Sequence, residues 1–506
     1  MKLKYLLEDV VDPSLTPEGD VHGLSLNSRS LKPGEIFLAY PGRQTDGRFY
    51  IQEALANQAS VVLAEAEGLA PFVQDLNKSL PIIPVFKLCE KLGLLAQRLY
   101  QHPFIAKGVL PVTVGVTGTN GKTTCTFLLA QAAHRLGVPS AVMGTLGQGF
   151  IQHPLSDQKL TTADPITLHK QYAHLIHQGA AFIAMEVSSH GLDQDRISGL
   201  RLDSALFTNL TQDHLDYHKD MDSYLKAKLK LFTHPFLKRA IVNGDSEYKD
   251  PFISVVDQDL PLYLYSVTPP KQGRRHYPKK TVFIYAKEFA LTPKGIKAEL
   301  FTPWGEGVLH SPLLGQFNLS NLLAVVTELC AQGVELNAAL RALQFAHGAP
   351  GRMERITRGE MPEVIIDYAH TPDALEKALQ AAKQHCKRRL WCVFGCGGDR
   401  DQTKRPRMGR VAVEYADRII LTNDNPRTES PQKIIEDILS GIPLEYHSKL
   451  LIEPDRKKAI TQALMNSLSV DTILIAGKGH ENYQEIGQER FPFQDRQCVT
   501  EIFEQG

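Results

Sequence analysis

The sequence predicts an α/β protein of three domains, and three observations support this fold class. Its 506 residues correspond to about three domains at ~150 residues each. Short runs of β-branched and apolar residues alternate with helix-like segments, a pattern typical of parallel sheets covered by helices. Polar, glycine-rich turns follow several of these runs, and ligands bind at such turns at the carboxyl ends of parallel strands.

The first domain is predicted to span residues 1–106 and to be a small α/β domain. Apolar runs at residues 36–39, 60–64 and 82–85 are candidate strands, and residues 50–58 form a helix-like stretch. Glycine and proline residues separate these segments, as expected for turns between short elements.

A central domain is predicted over residues 107–345. The β-branched run at 111–117 ends in glycines and precedes a helix-like segment at 123–136, which is the order of a phosphate-binding unit. Further candidate strands at 181–187, 204–208 and 240–242 each lead into a polar loop. We therefore expect a P-loop ATPase domain with a mostly parallel sheet.

The third domain is predicted over residues 346–506, after a linker at 349–351. Its candidate strands are residues 364–366, 390–394, 418–421 and 472–475, with apolar-periodic helices between them. Because a polar turn follows each strand, ligand groups are expected at the carboxyl edge of a parallel sheet. This pattern predicts a Rossmann-like C-terminal domain.

The composition narrows the possible partners and the cellular compartment. Lysine plus arginine and aspartate plus glutamate number 56 each, so no bulk charge favours nucleic acid or a membrane surface. No run of ~18 apolar residues predicts a membrane span, and the N-terminal apolar run is too short for a signal sequence. Seven cysteines without a CxxC pair are typical of reduced thiols, which indicates a cytoplasmic protein.

The strongest single motif is a phosphate loop. It consists of Gly118, Thr119, Asn120, Gly121, Lys122, Thr123 and Thr124. The glycines allow backbone N–H groups to face phosphate oxygens, Lys122 can reach the β- and γ-phosphates, and the Thr123 hydroxyl can bind Mg²⁺. Val116 stands where the common pattern has another glycine, so this is a shortened variant. The loop alone leaves open a chance turn, a motor or a switch protein.

Other chemically competent side chains follow later predicted strands. Glu186 closes a strand, where a carboxylate can hold a metal ion, and His214 lies in a loop rich in aspartate and histidine. Lys228 is one of three lysines in a helix-like segment. Read alone, these residues are also compatible with a solvated strand-end charge, a surface histidine and a solvated basic helix face.

Three segments together resemble the Mur ligase family. GVTGTNGKTT (115–124), AMEVSSHGL (184–192) and FTNLTQDHLDYH (207–218) occur in the order and at the spacing found in that family, and a later DNPR adds to the resemblance. The resemblance covers essentially the whole chain. It implies a monomeric enzyme with UDP-binding, ATPase and amino-acid-binding domains. ATP would phosphorylate a carboxylate of UDP-N-acetylmuramoyl-L-alanyl-D-glutamate, and an incoming amine would attack the acyl phosphate.

The resemblance also implies the catalytic and cofactor residues. Lys122, Glu186, His214 and Lys228 match catalytic positions. Thr123 and Glu186 would hold one Mg²⁺, and His214 would help to hold another, with Lys228 as a ligand once CO₂ has converted it into a carbamate. Carbamylation requires an uncharged amine. Asn318, Arg352 and Asp367 match further contacts to ATP.

The UDP-sugar contacts follow in the same way. The positions that match contacts to the UDP portion are Leu26, Ser28, Arg43, Gln44 and Thr45, and those that match contacts to the sugar, diphosphate and peptide are Thr161, Thr162, Ser188, Gln194 and Arg196. Hydroxyl and guanidinium groups are suitable partners for such anions. The family's usual Asp-Ser-Arg is Asn-Ser-Arg here, so no argument rests on that acid. Without the resemblance, the N-terminal positions could be ordinary turn residues.

The DNPR form of the motif implies meso-diaminopimelate as the amino acid. The implied contacts are Arg400, Asp424, Asn425, Pro426, Arg427, Gly477 and Glu481. Diaminopimelate has a second carboxylate, which Arg427 could grip with two parallel hydrogen bonds, and Glu481 could accept from the distal ammonium. Lysine would leave Arg427 unpaired, at a cost of roughly 1–3 kcal/mol. Alternatives are a lysine-adding relative, a folate-polyglutamate ligase, and an ATP-gated regulator that does not ligate.

Overall fold

The N-terminal part of the chain is a small parallel α/β arrangement, as predicted. In the computed structural model, residues 1–43, 45–74, 76, 81–158, 160–270 and 277–505 are described. Strands β1–β4 are Leu24–Ser25, Ile36–Ala39, Val61–Glu65 and Ile82–Val85, and helices α1–α5 are Leu3–Leu6, Ile51–Ala56, Ala70–Val73, Leu88–Ala96 and His102–Lys107. The strands pair in the order β1-β2-β3-β4, all parallel. Alternate residues of β2 and β3 enter separate cores on the two faces of this sheet.

The central residues continue the alternation of strands and helices. Strands β5–β14 are Val112–Thr117, Ser140–Gly144, Gly147–Phe150, Phe182–Glu186, Ser204–Phe207, Arg239–Asn243, Leu262–Ser266, Thr281–Thr292, Gly295–Thr302 and Gly305–Ser311. Helices α6–α13 are Lys122–Arg135, Pro165–His177, Ser189–Asp193, Leu215–His218, Met221–Leu229, Lys249–Val255, Gln316–Ala331 and Leu336–Gln344. The predicted strand, turn and helix around the phosphate loop are thus confirmed.

The chain forms two compact units, and each contains part of the central sheet. One comprises residues 1–118, 138–205 and 211–238; the other comprises 119–137, 206–210 and 239 to the C-terminus. In the first unit β8 lies between β5 and β6 and is parallel to both, and β7 is an antiparallel edge strand. In the second unit β10, β11 and β12 are parallel, whereas β12, β13 and β14 form an antiparallel meander.

The C-terminal residues form the predicted Rossmann-like sheet. Strands β15–β22 are Glu354–Ile356, Glu363–Asp367, Leu390–Phe394, Arg418–Leu421, Leu450–Ile452, Thr472–Ala476, Tyr483–Ile486 and Glu489–Pro492. Helices α14–α18 are Pro372–His385, Lys404–Tyr415, Pro431–Leu439, Arg456–Asn466 and Asp495–Gln505. Six strands pair in the order β15-β16-β20-β17-β18-β19, and only β15 is antiparallel to its neighbour. None of the helices among the described residues is long and apolar enough to cross a membrane.

A buried ion pair fixes the carboxyl edge of this C-terminal sheet. The Arg456 and Asp495 side chains are completely buried and make two hydrogen bonds, Nε to Oδ1 at 2.7 Å and Nη2 to Oδ2 at 2.8 Å. Arg456 also donates to the backbone oxygens of Ala476 and Asn423, which precede two polar loops. The pair therefore joins the starts of α17 and α18 to the ends of two strands.

We expect Asp495→Ala to lower the free energy of unfolding by about 3–5 kcal/mol, because it leaves the Arg456 charge buried without a partner. Urea unfolding followed by circular dichroism measures this loss. The matched control is Glu501→Ala, which removes an exposed ion pair with Lys457 between the same two helices, and such pairs contribute little. Equal urea midpoints for the two variants would refute the role of the buried pair.

Candidate active site

The phosphate loop is tied to the end of β9 by backbone and side-chain hydrogen bonds. The Thr119 and Asn120 amides donate to the backbone and side-chain oxygens of Asn209, at 2.8 and 2.9 Å. Asn120 O in turn accepts from the Thr208 hydroxyl at 2.6 Å. These two amides are therefore occupied within the protein, which differs from the expectation that the loop amides in general face phosphate. Binding of phosphate by the loop and by the first turn of α6 stays a prediction.

The first turn of α6 contains the predicted cation and hydroxyls. Lys122 Nζ donates to Thr119 O at 2.9 Å, so the lysine lies back over its own loop. Thr123 and Thr124, the next two residues of the helix, are buried. Gly121 has φ +85° and lacks room for a side chain, because a β-carbon would lie 2.6 Å from Asn321 Oδ1. Both the positive φ and the lack of space for a side chain therefore favour glycine at position 121.

Glu186 is the last residue of β8 and is held in a closely fitted position. Its side chain is 2% exposed. Thr145 donates to both carboxylate oxygens, from its amide to Oε1 at 2.9 Å and from its hydroxyl to Oε2 at 3.1 Å. A β-carbon on Gly144 would overlap Oε1 and lie 2.7 Å from both Cγ and Cδ of Glu186. Glu186 is thus not a solvated strand-end charge, and the sequence analysis missed the residue that orients it, Thr145.

Lys228 is distinguished from its neighbouring lysines by burial. It is 1% exposed, whereas Lys226 and Lys230 are exposed. Its Nζ donates to Gly118 O at 2.9 Å and lies 4.6 Å from the centre of the Tyr224 ring. Tyr224, Ala227 and Lys228 share the buried face of α10 because residues three and four apart lie on one side of a helix. A solvated basic face is therefore wrong for Lys228.

Two imidazole rings lie near the Tyr224 ring that contacts this lysine. His214 has a left-handed backbone (φ 54°), and its side chain is 45% exposed. Its ring centre lies 5.0 Å from that of His190 and 6.1 Å from that of Tyr224, the ring that contacts Lys228. Burial lowers the pKa of the neighbouring His218, which favours a neutral ring there. Within the described residues, no three His, Cys, Asp or Glu side chains form a ready metal site.

Five of the predicted sugar and peptide contacts come together next to Glu186. The Thr162 hydroxyl donates to Glu186 O at 3.0 Å and accepts from the Ser188 amide at the same distance. Arg196 donates to Thr162 O and, through two nitrogens, to Gln194 Oε1. The Thr161 hydroxyl lies 3.1 Å from that of Thr145. Most of these residues follow β8, so their spacing in the sequence already places them near its carboxyl end.

Arg43 joins this group, although it lies in the N-terminal part of the chain, between β2 and β3. Its Nη2 donates to Asp193 at 2.8 Å, and its guanidinium lies 4.5 Å from the centre of the Tyr217 ring. Burial opposes ionisation of Asp193, but hydrogen bonds from Tyr217 and Arg43 lower its pKa below the usual value. Asp193 and Tyr217 are members of this site that the sequence analysis did not identify.

The remaining predicted UDP contacts are separate from this group. Ser28 is buried, and its hydroxyl donates to Glu53 at 2.7 Å, while Leu26 is half-buried beside the N-terminal core. Thr45 lies 3.4 Å from the Tyr50 hydroxyl. Gln44 lies outside the described residues. The contacts of these residues with a nucleotide stay predictions.

Loops after the C-terminal strands bring together the predicted amino-acid contacts. Asn425 is their centre, because it donates to Glu481 Oε2 at 2.8 Å and accepts from Lys478 Nζ and the Glu485 amide, both at 2.9 Å. Asp424 lies against Gly477, where a β-carbon would overlap the carboxylate. Gly477 (φ +111°) therefore permits a close approach that no side chain would allow.

The two predicted arginines meet beside Gly397. A β-carbon there would lie 3.1 Å from Arg427 Nη1 and 3.8 Å from Arg400 Cγ. Pro426 lies against the loop that precedes Arg400, since a β-carbon on Gly398 would overlap its backbone oxygen. Arg427 and Arg400 thus both lie next to Gly397, and their contacts with an amino acid stay predictions.

The predicted amino-acid pocket already has partners within the protein. Glu481 Oε2 accepts from Lys478 and Asn425, and the carboxylate has further acceptor positions, so acceptance from an ammonium group stays a prediction. Arg427 is not unpaired without a ligand, because its Nε donates to Glu485 at 2.9 Å. The predicted cost of leaving Arg427 unpaired with lysine therefore does not apply. The sequence analysis did not identify Glu485, because a glutamate within a short hairpin carries no sequence signal of a ligand contact.

Arg352 and Asp367, both predicted ATP contacts, lie at the same carboxyl edge. Burial raises the pKa of Asp367, whereas the nearby Arg352 charge lowers it, and the net direction is upward. The Arg352 guanidinium lies 4.6 Å from the centre of the Tyr368 ring, and its buried Nε makes no hydrogen bond with any described residue. Burial and the charges of Arg352 and Lys478 lower the pKa of His480 to about 4. Arg352 is therefore well placed to meet an anion.

Asn318 lies in the first turn of α12, beside a cavity. It is buried, donates to Leu314 O at 2.8 Å and accepts from Asn321 at 3.1 Å. The cavity measures about 460 Å³ and is lined by residues of α12 and α14 and by residues after β10 and β11, among them Phe317, Ser320 and Gln380. Its size is suitable for a small molecule.

Comparisons with known proteins identify the family of the chain. Three family models match successive parts of the chain: the Mur ligase family, catalytic domain over residues 20–100; the Mur ligase middle domain over 116–329; and the Mur ligase, glutamate ligase domain over 351–479. Together they span most of the length that the sequence analysis divided into three domains.

Individual relatives match over nearly the whole chain. The UDP-N-acetylmuramoyl-L-alanyl-D-glutamate--2,6-diaminopimelate ligase of Coxiella burnetii is 44% identical over 98% of both chains. The protein of the same name from Pseudomonas aeruginosa is 45% identical over 94% of this chain and 93% of its own. A solved structure of a ligase with that name is 34% identical, has a TM-score of 0.72, and covers 100% of this chain and 99% of its own. The chain therefore belongs to the Mur ligase family.

Proposed function

We propose that the protein joins meso-2,6-diaminopimelate to UDP-N-acetylmuramoyl-L-alanyl-D-glutamate at the expense of ATP, in peptidoglycan precursor synthesis. The observation that carries this proposal is the arginine pocket at 424–427, in a chain similar over 98% of its length to a ligase named for these substrates. The substrates are soluble small molecules, and we place the protein in the cytoplasm as a monomer.

The reaction has two steps. An oxygen of the acceptor carboxylate attacks the γ-phosphorus of ATP, the bond to the β-phosphate oxygen breaks, and ADP leaves. The diaminopimelate amine then attacks the carbonyl carbon of the acyl phosphate, loses a proton and expels inorganic phosphate. Two anions must meet in the first step, so positive charge between them lowers the barrier. Lys122, at the first turn of α6, supplies part of that charge.

Residues of the site fit a Mg²⁺ requirement. The Thr123 hydroxyl, the Glu186 carboxylate and His214 would hold the ions, which neutralise phosphate and carboxylate charge when bound. Thr145 orients the Glu186 carboxylate by donating to both of its oxygens. A carbamate on Lys228 would add a further oxygen ligand. Burial of this lysine favours the uncharged amine that CO₂ requires.

The substrate anions are assigned to the groups of polar residues described above. Arg43, Arg196 and the hydroxyls next to β8 would bind the UDP-sugar and its peptide. The cavity beside Asn318 would take the adenosine of ATP, and the incompletely bonded Arg352 would contact its phosphates. Arg427 and Arg400 would bind the distal carboxylate of diaminopimelate.

An isotope experiment tests the proposal directly. Oxygen-18 in the carboxylates of the acceptor should appear in the released inorganic phosphate, because the first step forms a bond from that oxygen to phosphorus. Phosphate release should require UDP-muramoyl-dipeptide and diaminopimelate together. ATP hydrolysis without them would favour an ATP-gated regulator, and faster turnover with L-lysine would favour a lysine-adding enzyme.

Arg427→Ala should abolish diaminopimelate addition while ATP affinity stays unchanged, because the variant loses the guanidinium proposed to bind the distal carboxylate. Initial rates across diaminopimelate concentrations and ATP binding by calorimetry measure the two effects. Arg410→Ala, at an exposed position on α15, is the control for removal of an arginine. Unchanged diaminopimelate turnover in Arg427→Ala would refute this assignment.

A further inference from the structure

The hairpin of β21 and β22 fixes the backbone of Arg427. Arg427 has a left-handed conformation (φ 50°), which is uncommon for a residue with a side chain. Its amide donates to Glu485 O at 3.0 Å, and its carbonyl accepts from the Gly487 amide at 2.8 Å. The hairpin therefore holds the conformation from which the arginine side chain projects.

The same hairpin also orients the guanidinium. Glu485 Oε2 accepts from Arg427 Nε at 2.9 Å, and Gly398 O accepts from Nη1 at 2.8 Å. Two contacts from separate segments define the plane of the group. Nη2 makes no hydrogen bond with any residue in the described part of the chain, and the Arg427 side chain is 20% exposed. The orientation thus leaves one nitrogen for an incoming carboxylate.

Glu485 is itself held firmly. Its amide donates to Asn425 Oδ1 at 2.9 Å, so the DNPR loop and the hairpin hold each other. Its cross-strand partner Arg490 lies with Nε 3.5 Å from Oε1 and with its guanidinium 4.2 Å from the centre of the Tyr483 ring. The carboxylate therefore lies between two arginines and separates their charges.

We propose that Glu485 is a positioning residue that sets selectivity for an amino acid with a distal carboxylate. It holds Arg427 in the one orientation that presents Nη2 to the substrate, and it offsets the charge of Arg427 before the substrate binds. This inference rests on the proposed function, because it concerns recognition of diaminopimelate by the same pocket. Alanine at 485 would remove one of the two contacts that orient the guanidinium and would also remove the negative charge next to Arg427 and Arg490.

Kinetics of Glu485→Ala and Glu485→Gln test this role. In Glu485→Ala the KM for diaminopimelate should rise about tenfold, the expected effect of losing one hydrogen bond to a charged group. The kcat, the KM for ATP and the KM for L-lysine should stay within twofold of wild type. Glu485→Gln should recover part of the loss, since its amide oxygen can still accept from Nε. A purely structural defect would change all of these constants and would not be rescued by glutamine.

The control is Glu489→Ala, at an exposed position on the paired strand of the same hairpin. Its KM for diaminopimelate should equal that of wild type. A Glu485→Ala enzyme with wild-type KM for diaminopimelate, or with equal losses for diaminopimelate and lysine, would overturn the inference while leaving the proposed function intact. A wild-type enzyme that does not add diaminopimelate would overturn the proposed function and this inference with it.

Discussion

Lys228→Ala is expected to lower the rate of ligation by at least about 10²–10³-fold, the usual cost of removing a group that stabilises charge in a transition state. Lys228 is buried, its Nζ lies 2.9 Å from Gly118 O, and no described side chain of α10 could replace it. The loss should appear in kcat at saturating ATP and acceptor. Phosphate release in the complete reaction mixture measures it.

The matched control is Lys226→Ala, two residues earlier on the same helix and exposed to solvent. It should retain wild-type activity, because only the buried lysine lies against the phosphate loop. Comparison of the two variants thus shows whether the loss of activity depends on the position of Lys228 or on removal of any positive charge from α10.

The chemical form of Lys228 can be followed independently of activity. Incubation with carbon-13 bicarbonate should give a carbamate signal in wild type and in Lys226→Ala, but none in Lys228→Ala. A wild-type enzyme that is fully active in CO₂-free buffer and has no carbamate signal would contradict the proposed modification. An active Lys228→Ala enzyme would contradict any role for this lysine in the reaction.

Local patterns in the sequence were sufficient to predict the parallel strands of the fold. Runs such as 390–394 and 418–421 became strands with those same bounds, because a fully buried parallel strand needs a short, continuous apolar run. The meander of β12–β14 was not predicted. Its middle strand, β13, alternates buried and exposed residues, and its turns lie at Pro293-Lys294 and Pro303-Trp304. A pattern of continuous apolar runs, which predicts buried parallel strands, does not include such a meander.

Burial and side-chain partners were the parts of the site that the sequence could not determine. Lys226, Lys228 and Lys230, in and directly after α10, look alike in sequence, and only packing of the Tyr224 face distinguishes Lys228. Thr145 and Glu485 orient Glu186 and Arg427 from segments that are remote in the chain, 41 and 58 residues away. The first pair arises because β6 and β8 are neighbours in the sheet, and the second arises from a bridge between Arg427 and the hairpin of β21 and β22. Neither contact is encoded in a local motif.

Gly144→Ala is expected to reduce ligation about 10²-fold, comparable to the loss of a charge-stabilising contact, because the new methyl group would displace the Glu186 carboxylate. The added β-carbon would overlap Oε1, and Thr145 holds that oxygen in place from the other side. Gly144 is not among the residues with positive φ, so the backbone itself tolerates alanine. The effect therefore reports on the carboxylate and not on backbone strain.

A double-mutant cycle with Glu186→Ala tests this cause. Overpacking at Gly144→Ala should lower the free energy of unfolding by about 1–3 kcal/mol in the wild-type background. In the Glu186→Ala background the overlapping atoms are absent, so the same substitution should have little further effect. Equal destabilisation in both backgrounds would mean that the methyl group meets something other than Glu186. Displacement of the carboxylate that we propose to bind Mg²⁺ would then not explain the loss of activity.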